Sequence, residues 1–173
     1  MGETASRGTE VEAVQLKASI DYGLRAVLYL AKKGTTCSSK DIAEDMSIPR
    51  DYLIQLAQSL RNAGIIEARP GKYGGYLLAR SPKDVTVLDV LDALEDDAKR
   101  SREKHDERMA AVDGDDVRRT CALVESSINA YLDSLTIEVL LKCADDDEDT
   151  NEFLSKRLLE ESERLAGANE NGK

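Results

Sequence analysis

The sequence predicts a mainly α-helical fold with a small β wing: a winged helix-turn-helix followed by one long dimerisation helix. Three observations carry this. Two helical stretches with apolar inner faces meet at the tight connection Ser47-Ile48-Pro49. Two strand-like runs then flank the turn-rich segment Pro70-Gly71-Lys72-Tyr73-Gly74-Gly75. Past residue 116, apolar residues recur in alternating steps of four and three, the narrow seam of a coiled-coil-like contact.

Residues 1–15 lack apolar periodicity and read as a flexible tail. A first helix carries Ile20, Leu24, Val27, Leu28, Leu30 and Ala31 at helical spacing. Ser19 is its expected N-cap, and Gly34 its stop after Lys32 and Lys33. Ser38 or Ser39 can cap a short second helix with Ile42, Ala43 and Met46 inward. Pro49 suits the first turn of a third helix, which buries Leu53, Leu56, Ala57 and Leu60 and ends at Gly64. Runs 65–69 and 76–80 supply the two wing strands. Ser81-Pro82 breaks the chain, and Thr86 with Asp89 resembles a capping box for a helix through Val90, Leu91 and Leu94.

Residues 95–116 are charged and nearly devoid of large apolar side chains, so a loop is expected there. The helix that follows presents Val117, Cys121, Val124, Ile128, Tyr131 and Leu135 on one stripe. Such a stripe packs inside its own chain or, the preferred reading, against a two-fold copy. The tail opens with Asp145-Asp146-Asp147-Glu148-Asp149. Phe153, Leu154, Leu158, Leu159 and Leu165 then fit either an amphipathic helix or a disordered segment. The expected organisation is a tail over 1–15, a winged helix-turn-helix over 16–83, a connecting helix, charged loop and dimerisation helix over 84–143, and an acidic tail over 144–173.

Composition narrows the function classes. The 173 residues carry 24 Lys+Arg against 34 Asp+Glu, a net charge of −10. The charge is uneven: −2 over 1–15, +5 over 16–83 and −13 over 84–173. A phosphate feels charge only within a Debye length of about 8–10 Å, so a basic island in an acidic chain can still meet nucleic acid. Ordinary surface variation gives the same count, and charge alone does not decide. A single histidine, His105, argues against a His-based triad or multi-histidine metal site. Cys37, Cys121 and Cys143 are far apart and odd in number, which argues against a disulfide framework and for the reducing cytoplasm. No apolar run approaches the roughly 18 residues that cross a bilayer, and MGETASRGTEVEA is too polar for a signal peptide. No nucleophile–base pairing or phosphate loop points to an enzyme.

The strings LKASIDYGLRAVLYLA, DIAEDMSIPRDYLIQLAQSLRNAGII, GKYGGYLLARSPKDVTVLDVLDALE and AYLDSLTIEVLL, in that order, resemble the Rrf2 family of winged-helix transcription regulators, of IscR, NsrR and CymR type. The resemblance spans roughly residues 16–140. It implies a homodimer on double-stranded DNA, each subunit giving one winged helix-turn-helix and one long helix to the dimer contact. Two-fold symmetry then calls for an inverted-repeat operator, bound as repressor or activator. Several relatives hold an iron–sulfur cluster on three cysteines, whose counterparts fall near Glu103, Met109 and Asp115; none is cysteine here. Asp21 stands where some relatives place a carboxylate ligand, or is simply a first-turn acid at a helix N-terminus. No cofactor is therefore expected, a cluster on atypical ligands being the alternative.

With Leu53, Leu56 and Leu60 inward, the outward or flanking side chains of the recognition helix are Arg50, Asp51, Tyr52, Gln55 and Ser59. Arg50 can read guanine or clasp phosphate, and Gln55 can pair with adenine. Ser38, Ser39 and Lys40 suit phosphate contacts at the start of the preceding helix. Lys72 and Tyr73 occupy the wing tip and Arg69 its rising strand. Many relatives place Arg directly before the wing glycine. Pro70 stands there in this chain, and a one-residue shift in a strand reverses a side chain's direction, so Arg69 is not expected to copy that arginine.

Three functions compete: a DNA-binding regulator with a small-molecule or protein effector, a cluster- or redox-sensing regulator, and a winged-helix scaffold that binds protein and not DNA. Cys121, on the seam, is the candidate redox sensor; its plain alternative is a small core hydrophobe.

Overall fold

A computed structural model describes residues 16–95, 115–145, 156 and 159. The tail expected over 1–15, residues 96–114 of the loop expected over 95–116, with Glu103 and Met109, and the C-terminal segment with Phe153, Leu154, Leu158 and Leu165 lie outside the described residues, whereas Asp115 and Asp116 of that expected loop are helical. Among the described residues, no helix is long and apolar enough to cross a membrane.

Helix α1 spans Ala18–Lys33 and stops at Gly34, which takes the left-handed φ of 64°. Ser19 is not its cap but lies within the first turn. Lys17 precedes the helix, and its carbonyl accepts from the Ile20 and Asp21 N–H groups at 2.9 and 3.0 Å, so the backbone closes the turn without a side chain. Helix α2 (Ser39–Asp45) is capped by Ser38, whose side chain accepts from the Asp41 N–H. Ser47, at φ 53°, turns the chain toward α3 (Arg50–Asn62), which Pro49 precedes as the flanking residue instead of entering the first turn.

Leu53, Leu56, Ala57 and Leu60 are buried as the periodicity requires. Antiparallel strands β1 (Ile66–Arg69) and β2 (Gly75–Leu78) pair Ile66 with Leu78 and Arg69 with Gly75. A 3-10 turn over Pro82–Asp84 leads to α4 (Val87–Leu94), where Thr86 and Asp89 complete the capping box. The long helix α5 covers Asp115–Ser134. A separate helix α6 (Ile137–Asp145), which periodicity did not distinguish, begins after a break at Leu135 and Thr136.

Leu30, Ile42, Leu53, Leu60, Ile65 and Val90 centre the main core, and Ile137 joins them from α6 with no exposed surface. A second cluster unites Val87, Leu135, Val139 and Cys143, with Tyr131 and Leu132 packed against it. Leu135 is therefore a correction to the expected seam. It lies past the end of α5, buried in its own chain's core. Two main-chain bonds explain why: Val87 N–H donates to the Leu135 carbonyl at 2.8 Å, and Ile137 N–H to the Val85 carbonyl at 2.9 Å. They turn the chain back onto the winged unit.

Helices α1 and α2 are joined by the Tyr29 hydroxyl, which donates to Asp45 Oδ2 at 2.8 Å. That bond, and then burial, push the Tyr29 phenol up from 10.0 to about 12. A phenol raised on folding contributes its full stabilisation below the unfolded value and loses it as pH rises through the folded one, here between pH 10 and about 12. Tyr29→Phe should lower stability at neutral pH by about 0.5–1.5 kcal/mol and flatten the alkaline loss. Urea midpoints at neutral pH and across that window check both.

Candidate nucleic-acid interface

The sequence folds α2, α3 and the wing around one open groove of about 310 Å³. One wall is Ser38, Ser39 and Lys40 with Arg50 from α3; the other is Ala68, Arg69, Gly71, Gly74, Gly75 and Tyr76 from the wing. Two strand-like bonds hold the walls together: Cys37 N–H donates to the Tyr76 carbonyl at 2.9 Å, and Tyr76 N–H to the Cys37 carbonyl at 2.8 Å. The loop before α2 thus pairs with β2, which no local signal announced. Gly75 makes the approach feasible, because a Cβ there would lie 2.0 Å from the Cys37 carbonyl oxygen. Gly71 turns the wing at φ 116°, a conformation that side-chain-bearing residues rarely adopt.

Arg50 is bonded within its own wall of the groove. Its Nε and Nη2 both lie 3.3 Å from the Ser39 hydroxyl oxygen, tying the first turn of α3 to the first turn of α2. Lys40 is loosely paired with Glu44 at 3.7 Å, both ends well exposed, so its ammonium can be redirected cheaply. Ser38 already accepts from Asp41 N–H, which satisfies one of the helix-terminal donors expected to meet phosphate. At the wing tip Lys72 Nζ sits 5.6 Å from the ring centre of Tyr73, a ring 87% exposed. Arg69 is turned back on Glu67, with Nη2 3.1 Å from Oε1.

The other expected side chains divide. Asp51 and Gln55 are exposed on the outer face of α3. Tyr52 is half-buried edge-to-face against Tyr22 of α1, centroids 5.9 Å apart, which makes it a packing residue. Ser59 is half-buried. Three residues of the outer face were not singled out: Arg61 donates to Gln58 at 3.0 Å, and Gln58 to Asn62 at 2.9 Å. The helical period alone places Gln58 one turn beyond Gln55 and could have found it.

On α5, Val117, Val124 and Ile128 are more than half exposed, Cys121 is partly exposed, and Tyr131 is half-buried where the helix meets the second cluster. Leu123, about a third of a turn from that stripe, is exposed as well.

A family model described as Rrf2, iron-dependent transcriptional regulator, matches residues 16–143. The chain is 33% identical over 135 residues to the HTH-type transcriptional regulator CymR of Bacillus subtilis (strain 168), covering 76% of this chain and 93% of that protein. Among solved structures, T. potens IscR matches with a TM-score of 0.61 and 32% identity, over 76% of this chain and 89% of that one. CymR, the global cysteine regulator of B. subtilis, matches with a TM-score of 0.52 and 29% identity, over 75% and 98%.

The iron in that family description can be set against the donors present. No cysteine lies between Cys37 and Cys121. Cys37 is buried in the main core and Cys143 in the second; burial pushes the Cys37 thiol up, away from thiolate. The Asp21 carboxylate is held in the fork of Arg25, at 3.0 Å from Nε and 2.7 Å from Nη2. Among the described residues no three His, Cys, Asp or Glu side chains converge as a metal site. Among the described residues, these donors do not assemble the thiolate set of an iron–sulfur cluster.

Proposed function

The chain belongs to the Rrf2 family of transcriptional regulators, and from that membership we propose that it is a cytoplasmic homodimer binding an inverted-repeat operator without a three-cysteine iron–sulfur site. The observation that carries the DNA reading is the groove itself, which gathers Ser39, Lys40, Arg50 and the wing around one opening. Arg50 and Gln55 enter the major groove and read bases; Lys72, Lys40, Ser38 and Ser39 hold phosphates and set register. Tyr73 packs its exposed ring on the backbone beside the wing. The exposed α5 stripe supplies the two-fold contact, since a monomer would leave it in water. The signal reaches the dimer as a small-molecule or protein effector, or through Cys121, the partly exposed thiol beside the stripe.

Titration of the chain's own promoter fragment at several salt concentrations tests this. Lys72→Ala should weaken all DNA sequences alike and flatten the salt dependence by about one unit of slope per half-site. Gln55→Ala should cost about 1–3 kcal/mol at one base position. Wild-type binding by both double variants, Arg50/Gln55 to alanine and Lys72/Tyr73 to alanine, would show the docking to be wrong. The same titration on Cys121→Ser, with oxidant and with reductant, decides whether that thiol carries the signal.

A further inference from the structure

The recognition helix carries one feature that polar readout leaves unused. Ile54 is 43% exposed on α3, amid Arg50, Asp51, Gln55 and Gln58, all exposed and polar. Four residues after Arg50, it lies on the same face of the helix as that arginine, which itself lines the groove. Its own domain covers this branched apolar side chain only in part and leaves 43% of it in water. It is also stiff: β-branching leaves Ile one strongly preferred χ1 rotamer in a helix, so little freedom is lost on contact.

The major groove offers one apolar group for such a side chain, the 5-methyl of thymine. Building on the DNA-binding reading above, we propose that Ile54 is a specificity-determining residue that packs on a thymine methyl in each operator half-site, beside the base or phosphate held by Arg50. The contact adds discrimination that Arg50 and Gln55 do not supply. Removing one methyl from the operator then removes the burial of one methyl group, about fourfold in affinity per half-site.

The test begins with full-length protein selecting from random-sequence duplex DNA. In the enriched operator each thymine is then replaced by uracil, which keeps the base pair and lacks only the methyl. At one symmetric position the wild type should lose about fourfold per half-site, while Ile54→Ala should bind the thymine and uracil duplexes equally. Because Ile54 is on the surface, circular dichroism of Ile54→Ala should match wild type. Insensitivity of the wild type to every uracil, or equal sensitivity of Ile54→Ala, overturns the proposal while leaving DNA binding intact. Failure to enrich any sequence overturns the DNA-binding reading, and this proposal with it.

Discussion

Replacing Gly75 with valine should detach the wing from the helix-turn-helix and lower stability by about 3–5 kcal/mol. The added Cβ would sit 2.0 Å from the Cys37 carbonyl oxygen, 2.6 Å from its carbon and 3.0 Å from the Ser38 Cα. All three are backbone atoms, so no side chain can swing aside. Strand β2 must retreat, and both hydrogen bonds between Cys37 and Tyr76 are lost. Each bond contributes about 1 kcal/mol net, and the steric displacement adds about 1–3 kcal/mol. The buried Cys37 thiol should then react readily with a thiol reagent, and operator affinity should fall because the groove loses one wall. Gly71→Ala is the contrast: it meets no atom within 4 Å and bears backbone strain alone, so its loss should be smaller. An unchanged urea midpoint and a protected Cys37 thiol in Gly75→Val would refute the account.

Ile128→Asp should convert the dimer to a monomer and reduce operator affinity by at least about a hundredfold. Ile128 lies mid-stripe on α5 and is 53% exposed within one chain, so the substitution leaves the subunit's own core untouched. In the proposed two-fold contact the same carboxylate would be buried against apolar partners, at a cost that association could not recover. Losing the partner removes the second half-site, and with it the gain of binding two linked sites at once. Analytical ultracentrifugation and promoter titration read the two effects. A dimer that persists with wild-type affinity would show that α5 meets no second copy.

The helix-turn-helix, the wing and the capping box were legible because each is written in neighbouring residues. The Leu53, Leu56, Leu60 spacing, the glycines at the wing and Thr86 with Asp89 need no information from elsewhere in the chain. Contacts between distant residues were not legible. Nothing near Cys37 says that it will pair with Tyr76, and nothing near Leu135 says that Val87 will draw it inward. The site follows the same rule. Arg50 and Gln55 could be placed outward by period, whereas the burial of Tyr52 depends on where α1 sets Tyr22. Ile54 was passed over because an apolar residue in a helix is ordinarily assigned to a core, and only packing showed that 43% of it stays exposed.

The paired bonds at Leu135 and Ile137 make the base of α5 a fixed mount, without a flexible joint between it and the winged unit. Helix α5 has 20 residues and is therefore a rod of about 30 Å. In the proposed dimer the rod and its winged unit pivot as one piece. A change of about 5° in how the two rods cross shifts a point one rod-length away by about 2.5 Å. In that proposed dimer the spacing of the two α3 helices would follow the angle at which the rods cross. A change in that angle would retune the reach of both DNA-binding heads while leaving each one folded as it stands.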